Sequence, residues 1–345
     1  MIENYDPNCV GNPNNNIFGL PTTEASAALI ILPIPWEVTV SFSAGTARCI
    51  EPINKASLQV ELYDSDYPNL WQRGIYLRPT NKKVLLKSDY LRKEAELYIS
   101  YIAEEAVVEK NQFMCKTLRE INEGGTFLNE YVYEQTKALL AANKLVGLLG
   151  GDHSTPLGYF KAIAEIYPSY GILQIDAHCD LRKAYEGFTY SHASIMYNAL
   201  NEIPNISRLV QVGIRDYCDE EWEYIKNSDY RVITYFDKDL KERQYDGETW
   251  NSIVADIVNK LPEYVFISFD IDGLDPKLCP ATGTPVMGGF EAQQIFYLFK
   301  HLIKAGKKVI GFDLNEVGVS ENGQDENVGA RVLYKLCNIL LQCNP

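Results

Sequence analysis

Three short apolar runs, each leading into aspartates or histidines, constrain the fold of this chain more than any other feature. Leu145-Val-Gly-Leu-Leu149, Gly171-Ile-Leu-Gln-Ile175 and Tyr264-Val-Phe-Ile267 have the length and character of strands buried on both faces. They lead into Gly150-Gly-Asp-His-Ser154, Asp176-Ala-His-Cys-Asp180 and Ser268-Phe-Asp-Ile-Asp272-Gly-Leu-Asp-Pro276. Along a strand, residues i, i+2 and i+4 project to one face. Asp176, His178 and Asp180 would therefore point the same way, provided the extended backbone continues to Asp180. Asp270 and Asp272 would share a face by the same period. One such triplet alone reads equally well as a polar strand end with an aspartate capping the next helix. Two histidines, of only four in the chain, and four aspartates at the ends of three apolar strands do not.

The segments around these runs decide the fold class. Further strands are expected at residues 28–33, 208–214, 231–236 and 307–313, with the three apolar runs as strands at 145–149, 171–176 and 264–270. A helix starts in residues 46–57, and residues 90–122 carry Leu91, Ala95, Leu97, Tyr98, Tyr101, Ile102 and Ala106 largely at spacings of three and four. More helices are expected at 130–142, 157–166, 193–201, 249–260, 290–305 and 329–341. This alternation calls for right-handed βαβ units: a three-layer αβα sandwich around a doubly wound, mainly parallel sheet of about eight strands. Ligands bind beyond the carboxyl ends of such strands, where all the candidate residues fall. Residues 34–45 are too polar and too Gly/Ser-marked for core, and Trp36 and Phe42 within them read as packing beneath a mouth rather than lining it. Gly150-Gly151 reads as a tight turn presenting His153.

Residues 1–27, rich in Asn, Pro and Gly, form an irregular arm over the surface. Residues 28–345 form a single catalytic domain, since no composition shift marks a linker. The net charge of −14 excludes a nucleic-acid partner and is compatible with a cationic substrate. Eight cysteines without a C-x-x-C pair, no apolar leader and no long apolar span point to a reduced cytoplasmic protein off the membrane. Cys179 alternates away from its neighbours into the sheet, as core, and His301 on an amphipathic helix is structural.

His153, Asp176, His178, Asp180, Asp270 and Asp272 exceed the needs of one metal and suit two divalent ions of the Mn, Ni, Co or Zn type. No cysteine cage supports structural zinc, and magnesium rarely recruits two histidines. Two ions close together can activate a shared water. A dinuclear phosphoesterase would also use His and Asp at strand ends, but it would want an anion nest, for which Gly150-Gly151 is the only candidate.

In this order, the three motifs resemble the signatures of the arginase/agmatinase ureohydrolase family, as does Pro280-Ala-Thr-Gly-Thr-Pro285-Val-Met-Gly-Gly289. The similarity runs from about Ala28 to the C-terminus and is weaker in the arm and near residues 62–125. It implies one ion on His153, Asp176, Asp180 and Asp270 and another on Asp176, His178, Asp270 and Asp272, with manganese expected and nickel the alternative. A hydroxide between them would attack the guanidinium carbon of a small cationic guanidino substrate, giving urea and an amine. Asp180 would pass a proton to the departing amine, and His192, in Tyr190-Ser-His-Ala-Ser194, resembles the family's proton-shuttle histidine. Glu316, in Asp313-Leu-Asn-Glu-Val317, matches the carboxylate that pairs with the guanidinium. A homo-oligomer, trimer or hexamer, is implied as well.

Two departures narrow the substrate. Where arginases place an asparagine against the amino-acid carboxylate, this chain has Arg182. Where they place an aspartate against the α-amino group, after Gly213-Ile-Arg-Asp216, it has Cys218. Arginine is disfavoured. The run Asp180-Leu-Arg-Lys-Ala-Tyr-Glu-Gly-Phe188 looks like bacterial agmatinases, so an agmatine-like amine is expected. Free guanidine, associated with nickel in one branch, is the alternative. Formimidoylglutamase activity, which Arg182 would suit, and a non-catalytic scaffold are remoter ones.

Overall fold

The computed structural model describes residues 2, 5–104 and 107–345. Eight strands form one sheet: β1 (Leu29–Ile34), β2 (Ile75–Leu77), β3 (Leu145–Gly150), β4 (Tyr170–Ile175), β5 (Ile206–Ile214), β6 (Val232–Phe236), β7 (Tyr264–Asp270) and β8 (Lys308–Asn315). Their spatial order is β2-β1-β3-β8-β7-β4-β5-β6, and every pairing is parallel. Among the described residues ten α-helices accompany them: α1 (Ile50–Ser57), α2 (Lys82–Ala103), α3 (Gln112–Ala141), α4 (Leu157–Ala164), α5 (Ile195–Glu202), α6 (Asp219–Lys226), α7 (Asp237–Tyr245), α8 (Trp250–Lys260), α9 (Ala292–Lys304) and α10 (Gln324–Cys343).

The three layers follow from the period of two. Leu29, Ile31, Leu173, Ile175, Val210 and Val212 pack on one face with α1, α8, α9 and α10. Ile30, Leu32, Ile172 and Leu209 pack on the other with α2, α3, α4 and α5. On this second face an uncharged-to-acidic row crosses five adjacent strands. Thr234, Gln211, Gln174, Ser268 and Asp313 are successive cross-strand partners on β6, β5, β4, β7 and β8. A buried polar row inside a sheet is costly unless its groups are bonded. Here Thr234 bonds Gln211, Gln211 bonds Gln174, Gln174 bonds Asp176 and Ser268 bonds both His153 and Asp313, leaving Asp313 Oδ2 as the one atom of the row without a partner among the described residues.

Several elements differ from expectation. The helical pattern over 90–122 is two helices, each begun by an asparagine: Asn81 accepts from the N–H groups of Lys83 and Val84, and Asn111 from those of Phe113 and Met114. The expected helix over 130–142 is the end of α3, and Ala106 lies outside the described residues. β2, α6 and α7 were not anticipated, because a three-residue edge strand and two short helices made mostly of polar residues offer too few apolar positions to declare a pattern. Phe290 precedes α9 and bridges to Leu274 instead. Residues 34–40 are buried, contrary to the expectation of a non-core loop, because they lie under the turn after β3, where the Asp152 N–H donates to the Trp36 carbonyl at 2.8 Å. The arm is irregular, yet Ile17, Phe18 and Leu20 are buried in the main core rather than laid over it. Cys179 is buried in the opposite core. Among the described residues no helix is long and apolar enough to cross a membrane.

Candidate metal centre and active site

β3, β8, β7 and β4 are consecutive neighbours, so the segments leaving their carboxyl ends meet over the middle of the sheet. After β3 the chain turns sharply at Gly151, where a Cβ would lie 1.9 Å from the Trp36 carbonyl oxygen. Only glycine allows that approach, and it carries His153 over the centre. His153 Nδ1 lies 3.0 Å from Asp176 Oδ2, 3.0 Å from Asp180 Oδ2 and 3.3 Å from Asp270 Oδ2. His178 Nδ1 lies 3.0 Å from Asp272 Oδ2 and 3.6 Å from Asp176 Oδ1. The six expected residues thus converge. Five of them form two potential ligand groups, His153–Asp176–Asp270 and Asp176–His178–Asp272, with ligand atoms within 4.8 Å of one another in each, while Asp180 stands outside both groups, against His153. Asp176 belongs to both.

The backbone reaches this arrangement by a different route from simple strand alternation. β4 ends at Ile175, and His178 makes only an isolated bridge to Asp216. Asp180 has φ 55°, in the left-handed region, where aspartate is tolerated better than most side chains. Asp272 sits in a single 3-10 turn, Ile271–Gly273, with its N–H bonded to Asp270 Oδ1 at 2.9 Å. Turns, not pleats, aim these carboxylates.

The polar row beneath fixes the histidine and the shared aspartate. Ser268 Oγ donates to Asp313 Oδ1 at 3.0 Å, so it accepts from His153 Nε2 at 2.8 Å. His153 therefore holds a proton on Nε2 and turns Nδ1 toward three carboxylate oxygens, where either a second proton or a metal ion can sit. Acceptors facing acceptors at this distance repel one another unless a cation lies between them. Nδ1 makes no hydrogen bond of good geometry among the described residues. The donor set fits a divalent ion on that physical ground. Gln174 Nε2 donates to Asp176 Oδ2 at 2.8 Å and is itself held through Gln211 and Thr234. None of Ser268, Asp313, Gln174 or Gln211 was singled out from the sequence, although a glutamine in the middle of an apolar strand run was a visible signal.

The electrostatics agree. Burial and the Asp176 charge push Asp180 up to about 7. Burial, with Asp272 and Asp176, holds Asp270 well above the carboxylate range. Burial would depress both histidines, but the carboxylates around them raise His153 and His178 well above the usual imidazole value. Asp176 moves the other way: burial alone would raise it, but His153 and His178 hold it far below the ordinary value. The cluster gathers positive charge of any available kind.

Glu316 and His192 flank this centre. Glu316 Oε1 accepts the His153 N–H at 2.9 Å, while Oε2 is buried without a hydrogen-bond partner among the described residues. Its backbone has φ 59°, a strained conformation of the kind concentrated at functional sites. Burial and the nearby Asp152 raise its carboxyl well above the usual value. His178, Asp180 and His192 reach the wall of a cavity of about 550 Å³ whose lining also includes Phe42, Arg182, Tyr185, Asp216 and Glu221. Of the two loop aromatics, Trp36 is buried as expected, but Phe42 is 79 % exposed and lines the mouth. Arg182 lies 4.8 Å over the Tyr185 ring, and the Glu221 carboxylate beside it receives the N–H groups of Leu181 and Cys218. Burial and the neighbouring His178 pull His192 down to about 3, so it is neutral at working pH.

Fold and site together define an α/β hydrolytic enzyme built around a buried imidazole–carboxylate centre. The chain belongs to the arginase family, whose model matches residues 27–338. It is 28% identical to an N(1)-aminopropylagmatine ureohydrolase from Synechocystis over 91% of this chain and 90% of that protein. It is 29% identical to an enzyme of the same name from Thermus thermophilus, over 92% of each. The solved agmatine ureohydrolase of Thermoplasma volcanium superposes with a TM-score of 0.68 at 22% identity, covering 92% of each chain.

Proposed function

We propose that this enzyme is a dinuclear-metal ureohydrolase that cleaves a guanidino amine, agmatine or its N1-aminopropyl derivative, to urea and an amine. The observation that carries this reading is Asp176, common to two adjacent ligand groups in a buried, strongly acidic centre. His153, Asp176, Asp180 and Asp270 would hold one ion, and Asp176, His178, Asp270 and Asp272 the other, Mn²⁺ or alternatively Ni²⁺. Bound there, the ions would supply Lewis acidity and a water of lowered pKa. The chain's own groups do the rest. The unpaired Oε2 of Glu316 suits a guanidinium N–H, while Asp180 and neutral His192 stand at the cavity wall where a leaving amine must gain a proton. The acidic Asp216 in the same wall favours a cationic tail, in keeping with the substrates named for the relatives, whereas Glu221 is already faced by Arg182 at 3.9 Å.

The test is urea release, or ammonia for guanidine, from enzyme loaded separately with Mn²⁺ and Ni²⁺. The panel is agmatine, N1-aminopropylagmatine, guanidinobutyrate, arginine, N-formimidoylglutamate and guanidine. Turnover of one or both amines, with arginine inert, is expected. Guanidine as the sole substrate, best with Ni²⁺, would replace the substrate assignment. No turnover of any compound with both ions bound would overturn the enzymatic reading. Glu316→Gln should lower kcat/KM about a hundredfold or more, the worth of a charge-assisted hydrogen-bond pair, with metal content unchanged by elemental analysis.

A further inference from the structure

Thr39, in the buried segment after β1, touches His192 twice. The His192 main-chain N–H donates to Thr39 Oγ1 at 3.1 Å, and the same oxygen lies 3.3 Å from His192 Nδ1. A threonine hydroxyl has one proton and two lone pairs. If His192 were protonated on Nδ1, Oγ1 would accept both bonds and its own proton would have to go elsewhere. Thr39 is only 3% exposed, and among the described residues its hydroxyl has no other hydrogen-bond partner. Leaving a buried hydroxyl proton unbonded is the costlier arrangement. The balanced one has Thr39 donating to Nδ1. Ser191 Oγ, 3.5 Å from the same nitrogen and accepting the Ala193 N–H at 3.2 Å, also has its proton free to point there.

We propose that Thr39 is a positioning residue that holds His192 as its Nε2–H tautomer, so that the nitrogen left to the cavity is a hydrogen-bond donor. With Nδ1 engaged by Thr39, Nε2 is the ring nitrogen available to the cavity that His192 lines. A donor there meets the lone pair that develops on the departing amine when the guanidinium carbon becomes tetrahedral, and it keeps His192 from acting as a resting base. The catalytic consequence rests on the ureohydrolase reading above; the tautomer does not.

Three variants and one spectrum test it. Long-range ¹H–¹⁵N correlation of the imidazoles, in enzyme loaded with diamagnetic Zn²⁺, reports each ring's tautomer. The chain has only four histidines, and His192→Gln identifies the signal. Wild-type His192 should show an unprotonated Nδ1 and a protonated Nε2. Thr39→Val, which keeps the shape and removes the hydroxyl, should populate the other tautomer. It should also cost about tenfold in kcat, the scale of one lost buried hydrogen bond, with KM and metal content unchanged. Thr39→Ser should restore both tautomer and turnover. A wild-type ring protonated on Nδ1 would overturn the proposal, as would a Thr39→Val enzyme with wild-type tautomer and kcat. Undiminished turnover in His192→Gln would instead sink the catalytic role of His192, while the spectrum still decides the tautomer.

Discussion

Asp176→Ala is expected to abolish turnover, by roughly a thousandfold or more, and to lower bound metal from two ions to one at most. Of the two residues proposed to serve both ions, Asp176 and Asp270, it is the one that both ligand groups contain. Its Oδ2 lies 3.0 Å from His153 Nδ1, its Oδ1 lies 3.6 Å from His178 Nδ1, and it alone belongs to both ligand groups. Removing it takes one acceptor from each group and leaves Gln174 Nε2, which donates to Oδ2 at 2.8 Å, with only its longer bond to the His178 carbonyl at 3.3 Å. Asp270→Ala should be comparably severe if Asp270 also bridges, although the ligand groups place it firmly in only one. Elemental analysis and steady-state kinetics on the same preparation separate the outcomes. Near-normal activity with one ion or none would sink the dinuclear reading.

The candidate centre was legible in the sequence because its proposed ligands are clustered at strand ends, where hydrophobic runs stop abruptly at charged residues. The reason for their convergence was not. Alternation along a strand would have sufficed to bring Asp176, His178 and Asp180 together, yet the real backbone leaves the extended region and passes through a left-handed Asp180. Such turns depend on what lies beneath them, here the segment of Trp36 under Gly151, which is distant in sequence. The supporting row was hidden for a related reason. Gln174 and Gln211 each look like an isolated polar interruption until the sheet order makes them neighbours. Thr39 and His192 are 153 residues apart and meet only once the fold is closed. Local pattern carried strands and motifs. Long-range register carried orientation.

Stripping the metal should destabilise the enzyme, and the loss should grow with pH. A group whose folded pKa is raised stabilises the fold below its unfolded pKa and loses that contribution as pH climbs through the folded value. Asp180 rises from 3.8 to about 7 and Asp270 lies well above 3.8, each chiefly through burial, while His153 and His178 lie above 6.5 because of the carboxylates around them. Between about pH 4 and 7, the metal-free fold therefore holds more protons than the unfolded chain, and each excess proton costs up to about 1.4 kcal/mol per pH unit as pH rises. Asp176 has the opposite sign, but its contribution is lost only as pH falls below 3.8, outside this window. His192, lowered to about 3, also has the opposite sign below 6.5; present in loaded and stripped enzyme alike, it largely cancels in their difference. Ions take the place of the protons, and their affinity rises as their ligands deprotonate. Two sites, each with free metal a thousandfold above Kd, would add about 8 kcal/mol. For a chain of this length that is roughly 10 °C in Tm. Calorimetry of EDTA-stripped and reloaded enzyme at pH 5, 6, 7 and 8 should show the gap in Tm opening steadily toward pH 8. A gap that is constant, or widest at pH 5, would mean that protons and metal do not compete for this centre, and the assignment of these carboxylates and imidazoles as its ligands would fall.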